Sequence, residues 1–314
     1  MNKFRNTAIA LVILVLLNIY ILTVVKKEEK LPEPDLVFDD IEAPIDKIKI
    51  SFPEGDSLVF ERREETDWEM IFPYHFIAAP YKIDEMMAAL ENLNYIQKVP
   101  IKEEEKKNFG FENGPFKISF DTENKKRIIN LGDKTFDDRN YYAETSDTDE
   151  IFIINEMFIS HFERDALGYK DLQIARYDRE ELESITFKGK DQLFKVIRKE
   201  DTFEITYQKD GKDIDYVDEE AQELVQELTF FAAGRWINLN AYDLSAYGID
   251  QPEYTLTIKA KEDTINIRIG EFDGVYYGQV GDNPEVFEVT RYIFTLLKRL
   301  TPEEDEGGET IEQD

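Results

Sequence analysis

The sequence predicts an α+β fold of two tandem repeats, each a mostly antiparallel sheet packed with two helices, after one N-terminal transmembrane helix. Three observations predict it. Residues 108–120 (NFGFENGPFKISF) lie without gaps over residues 246–258 (AYGIDQPEYTLTI), so that Phe109 meets Tyr247, Gly110 meets Gly248, Ile118 meets Leu256 and Phe120 meets Ile258. Short alternating β-branched and aromatic runs recur on both sides of that match, separated by stretches of helical spacing. Residues 7–25 contain no charged side chain.

The match continues at the same offset through residues 128–133 (IINLGD) over 266–271 (NIRIGE), which also aligns Gly132 with Gly270. Three loop residues are then lost. Residues 140–144 (NYYAE) lie over 275–279 (VYYGQ), and 150–162 over 285–297. The copies therefore span 35–165 and 171–301, too long a period for a solenoid.

Within a copy, IDKIKISF, SLVFERRE and WEMIFP read as strands. Met86, Met87, Leu90 and Leu93 are spaced for a helix, as are Ala221, Leu224, Val225 and Leu228 in the second copy. Asp84 is expected near the start of the first of these helices, where a carboxylate caps and meets the dipole. FKISFD and RIINLGD read as a hairpin. Asn155 and Thr290 are expected to begin a terminal helix. Gly110 and Gly248 are expected to end a short helix or turn in the left-handed conformation, and with Gly132 and Gly270 they form the structural signature of the repeat.

At about 1.5 Å per residue, residues 7–25 reach roughly 28 Å, close to the ~30 Å of a bilayer core. The run ends in LTVVKK, without a small-residue cleavage site, and reads as an uncleaved signal anchor. Residues 1–6 are then a cytoplasmic stub and 26–34 a polar stalk containing proline. The body lies outside the cytoplasm, and 302–314 form an acidic disordered tail. A formal net charge of −30 opposes binding to nucleic acid or bare anionic lipid. The absence of cysteine excludes disulfides, thiolate metal sites and cysteine nucleophiles.

Motifs for chemistry are sparse. His75 and His161 are the only histidines; His161 aligns with Leu296, which suggests packing. No nucleophile elbow, zinc-protease or phosphate-loop motif occurs, so no catalytic residue and no cofactor is assigned and the chain is not read as an enzyme. Asp133, Asp137, Asp138, Asp147 and Asp149 are a cluster without calcium-loop spacing. In the pairs Tyr141–Tyr142 and Tyr276–Tyr277, alternation puts one ring in the core and leaves the other exposed, where it could line a groove; sheet packing is the simpler reading. Arg235 and Trp236 follow the second-copy helix and have no counterpart in the first copy. They are the first choice for an interaction surface, in which case Trp236→Ala weakens partner recovery and leaves the unfolding midpoint in place.

The helix followed by FGF or YGI, then LGD or IGE, YY, and EIFIIN or EVFEVT, resembles the bacterial family catalogued as domain of unknown function 4340, across residues 35–301. The first copy departs from its pattern in having Gly114 before Pro115, where the second has Gln251 before Pro252. The resemblance implies a membrane-anchored accessory partner of an ABC-type transporter of the gliding-motility kind, and no catalytic residues. The expected function is thus a single-pass, membrane-anchored, extracytoplasmic binding or scaffold protein. It would be held in the bilayer by residues 7–25 and partnered with a membrane complex. The alternatives are capture of a glycan, peptide or lipid in a cleft between the copies, and an envelope hydrolase.

Overall fold

The computed structural model describes residues 35–300 apart from 39–40, 42, 65–66, 101–102, 113–115, 179 and 201. The expected stub, transmembrane anchor, stalk and acidic tail lie outside the described residues, as do Gly114 and Pro115. Among the described residues no helix is long and apolar enough to cross a membrane, a statement that does not extend to strands.

The chain is mostly β, with two antiparallel nine-stranded sheets and a few short helices. The second copy has the two expected α-helices, but the first has one and a 3-10 helix in place of the other, so the chain is richer in β than the α+β expectation. The first sheet comprises β1 (Ile45–Ser51), β2 (Ser57–Arg62), β3 (Trp68–Phe72), β4 (Phe76–Ile77), β5 (Gln97–Val99), β6 (Phe116–Thr122), β7 (Lys126–Lys134), β8 (Asn140–Thr145) and β9 (Thr148–Asn155), in the order β4-β3-β2-β1-β6-β7-β8-β9-β5. The second comprises β10 (Leu182–Lys188), β11 (Gln192–Lys199), β12 (Thr202–Lys209), β13 (Lys212–Asp213), β14 (Ala233–Asn238), β15 (Tyr254–Ala260), β16 (Thr264–Phe272), β17 (Val275–Val280) and β18 (Val286–Val289), in the order β13-β12-β11-β10-β15-β16-β17-β18-β14. One order is the other advanced by nine strands. Even the register recurs, for Ile118 sits opposite Ile129 as Leu256 sits opposite Ile267. All four are buried.

The α-helices are α1 (Pro80–Glu91), α2 (Asp218–Thr229) and α3 (Arg291–Arg299). α1 opens at Pro80, whose missing N–H is no loss at the first helical position. Asp84 therefore lies beyond the first turn and does not cap it, contrary to expectation. α2 opens on Asp218, Glu219 and Glu220, carboxylates that meet the positive end of the helix dipole. Its Ala221, Leu224, Val225 and Leu228 face are all buried, as their spacing requires, in one cluster with Phe187, Phe194 and Phe287 of the sheet. Ile293, Phe294, Leu296 and Leu297 of α3 join that cluster. Each such large side chain contributes on the order of 2 kcal/mol of transfer free energy.

The corresponding segment of the first copy is a 3-10 helix, Glu156–His161, with Asn155 accepting a hydrogen bond from the Met157 N–H at 2.8 Å. Thr290 occupies the equivalent position before α3 without such a bond. The tighter winding of the first-copy helix changes its facing. Phe158 and Phe162 are buried and His161 is exposed, which corrects its reading as a packing position.

Two compact units can be distinguished. One comprises Met87–His161 with the described residues before Ile45; the other comprises Ile45–Met86 and the described residues from Phe162 onward.

Candidate functional site

Each sheet carries the recurring tyrosines on adjacent residues of one strand, so their rings leave on opposite faces. Both rings of each pair are half-buried, not one buried and one exposed as expected. The reason is that both faces are covered. Tyr276 stacks on Phe294 of α3, with centroids 3.7 Å apart, and burial pushes its hydroxyl pKa above the ordinary range. Tyr277 meets Tyr247 edge-on at 5.3 Å. In the first sheet Tyr142 meets Phe109 edge-on at 4.7 Å, and the Lys134 ammonium lies 5.4 Å over Tyr141.

Phe109 and Tyr247 belong to the matched FGF and YGI turns. Each ends a short 3-10 helix, Glu103–Phe109 or Leu244–Tyr247, and each is followed by a glycine at positive φ, +82° at Gly110 and +67° at Gly248. The turn lies flat against the sheet at Gly132 or Gly270, where a methyl group would overlap its backbone. The recurring signature is thus a clasp over the second face of each sheet. All four glycines, Tyr142 and Tyr277 have packing work in it, while Tyr276 packs on α3 at the other face.

Trp236 is also a packing residue. The segment after α2 that was the first choice for an interaction surface is the strand β14, paired with β18 and interrupted by a bulge at Gly234. The bulge turns Ala233 and Trp236 inward and leaves Arg235 outward. Trp236 is 8% exposed, meets Phe287 edge-on at 5.6 Å and donates its indole N–H to the Asp171 carbonyl at 2.8 Å. The Lys170 ammonium stands 4.4 Å over its ring and 5.4 Å over Phe76, and is neutralised by Glu285 at 2.9 Å. Arg235 is exposed and pairs with Glu288 at 2.7 Å across the strands.

His75 lies beside Glu69 at 3.5 Å, and His161 ends its 3-10 helix. Among the described residues no three acidic or histidine side chains converge on a point where a metal could sit. Of the acidic cluster, Asp147 accepts from Lys125 at 2.6 Å and from Arg127 at 3.1 Å, and Asp137 accepts from Thr135 at 2.6 Å.

What residue-by-residue reading missed is an apolar hairpin. Phe72, Tyr74, Ile77 and Tyr81 are 52%, 39%, 62% and 51% exposed, in β3, the turn after it, β4 and the first turn of α1, at the edge of the first sheet. Ile77 lies opposite Glu69, whose carboxylate is held by Arg63 at 2.5 Å. The signal was present in the internal match. Counted back from the first residues of α1 and α2, Tyr81, Ile77 and Tyr74 stand where the second copy has Glu219, Asp215 and Lys212.

The sequence profile of a family described as Domain of unknown function (DUF4340) matches residues 68–238, more than half of the chain, from the first residue of β3 to the last of β14. No curated protein and no solved structure matches the chain.

Proposed function

Because the chain belongs to the DUF4340 family, whose description assigns no activity, we propose from its own residues that it is a membrane-anchored binding and scaffold protein. It consists of two copies of one unit and is held outside the cytoplasm by residues 7–25, beside a membrane complex of the ABC-transporter kind. The observation that carries this reading is the exposed apolar hairpin. The equivalent positions in the second copy accept a carboxylate or an ammonium, so the framework does not need apolar groups there. Exposed together on the β3–β4 hairpin and the first turn of α1, Phe72, Tyr74, Ile77 and Tyr81 lose solubility without a return in folding, and a partner that covers them supplies that return. Asp84 and Glu85 of α1 are exposed beside them, which suits a partner with an apolar centre and basic flanks. The anchor contributes by holding both proteins in one membrane and raising their local concentration.

The test is a photo-crosslinking amino acid placed at Ile77 in one full-length chain and at Asp215 in another, each activated in native membranes. The expected result is an adduct from position 77, and none from 215, containing a transporter permease. Equal adducts from both positions, or none from position 77, would overturn the reading.

A further inference from the structure

The second sheet carries a pocket of about 350 Å³ beside α2, a volume in the range of small-ligand sites. Its floor is Leu182, Val225 and Thr229, all buried. Two half-buried rings, Tyr177 and Phe203, form walls, and Phe230, 46% exposed, stands at the rim. Gln222 and Gln226, one helical turn apart on α2, complete the rim. Neither glutamine amide hydrogen-bonds to a described residue. The Tyr177 hydroxyl is committed to Asp263 at 2.5 Å and the Thr229 hydroxyl to the Val225 carbonyl at 2.6 Å.

The lining is unusual for this chain. A third of all residues are charged, yet none of the described residues that line this pocket is. The matching positions of the first copy show that the frame does not impose it: Gln222, Gln226, Thr229 and Phe230 replace Asp84, Ala88, Glu91 and Asn92. An ionic ligand would find no counter-charge among the described lining residues, and an anion would also oppose the overall charge. A wholly apolar ligand would cover two amides and give them nothing to bond, at a cost of about 1–3 kcal/mol for each buried group. A sugar ring avoids both difficulties. Its C–H face lies on aromatic rings, and its neighbouring hydroxyls both donate and accept, as two glutamine amides do.

We propose that this pocket binds a neutral hexose ring of an oligosaccharide, with Phe230 and the ring walls taking its apolar face and Gln222 and Gln226 its hydroxyls. The site lies outside the β3–β4 hairpin, so its test stands apart from the partner reading.

The experiment is ligand-observed saturation-transfer NMR on the full chain in lipid nanodiscs, with maltotriose, cellotriose, chitotriose and, as an apolar probe, 2-phenylethanol. At least one trisaccharide is expected to bind saturably. Phe230→Ala and Gln226→Ala should each weaken it tenfold or more, while Arg235→Ala leaves it unchanged. The thermal midpoint of both pocket variants should stay at that of the parent, because both side chains are exposed. Three results overturn the proposal: no saturable binding of any trisaccharide, binding that both pocket variants leave intact, or variant-sensitive binding of 2-phenylethanol alone.

Discussion

Gly248 and Gly270 touch backbone to backbone, so that a methyl group on Gly270 would overlap the Gly248 carbonyl and come within 2.6 Å of the Ile249 nitrogen. Backbone on both sides leaves no flexible side chain to move away. The clasp over the second face of the sheet depends on this approach, since it seats Tyr247 against Tyr277 and Ile249 against Val286 and Ala241.

Gly270→Ala is therefore expected to destabilise the protein by about 3 kcal/mol, the upper part of the usual range for overpacking. Gly211→Ala serves as its control. Gly211 also has positive φ, +72°, but nothing lies within 4 Å of the added methyl. Only the left-handed strain of about 1 kcal/mol applies there. Urea unfolding of the two variants separates steric approach from backbone strain, and equal losses would show that the close approach is not what matters.

Trp236→Ala is expected to lower stability by about 3–5 kcal/mol, as for other buried large aromatics. This reverses the expectation from sequence, in which the midpoint stays in place. Trp236→Phe keeps much of the ring but loses the bond to the Asp171 carbonyl, and should cost about 1 kcal/mol. A thermal midpoint unchanged in Trp236→Ala would remove the residue from the core.

The internal match carried more of the fold than composition or motif did. It aligned Phe109 with Tyr247 and Gly132 with Gly270, and those pairs hold equivalent places in the two clasps. The match placed Gly132 and Gly270 in the repeat signature but not against their partners, because the turns ending at Gly110 and Gly248 are distant in sequence. The helix content was overread because EMFISHF has the same apolar spacing as the α3 segment, yet winds as a 3-10 helix. β14 was missed because Gly234 and the polar Arg235 break its alternation at a bulge. Trp236 then looked like an exposed anchor when its true surroundings, Phe287 on one side and Lys170 with Asp171 on the other, come from two segments distant in sequence. The hairpin and the uncharged pocket were legible only as differences between copies, and those differences become meaningful once the shared frame is known to be structural.

Asp147 provides a pH test in the first unit. Burial alone would raise its carboxyl pKa, but hydrogen bonds from Lys125, Arg127 and Ser146 outweigh that and hold it below the usual carboxylate range. Arg127 is 3% exposed and lies 5.7 Å over the ring of Phe38. Because the folded pKa is depressed, the stabilisation is complete above the unfolded value of about 4 and is lost as pH falls through the folded value. Asp147→Asn should cost about 2 kcal/mol at pH 7, in line with hydrogen bonds to charged groups. Its stability should also fall less steeply than that of the parent below about pH 4. Parallel stability-against-pH curves for the two proteins would dismiss the pair as a source of acid sensitivity.

The hairpin allows the framework and the surface to be separated within one variant. Ile77→Asp combined with Tyr81→Glu installs residues of the kind present in the second copy, Asp215 and Glu219. Both side chains are more than half exposed and neither belongs to the core. Surface changes of this kind usually alter stability by no more than about 0.5 kcal/mol each, so the thermal midpoint should hardly move. The added carboxylates should improve solubility at high concentration, since an exposed apolar cluster is removed from an already acidic surface. The same double variant should lose a defined transporter adduct from a photo-crosslinker placed at Tyr74. A large fall in the midpoint would mean that the apolar side chains are there for folding, and the partner surface would have to be sought elsewhere on the chain.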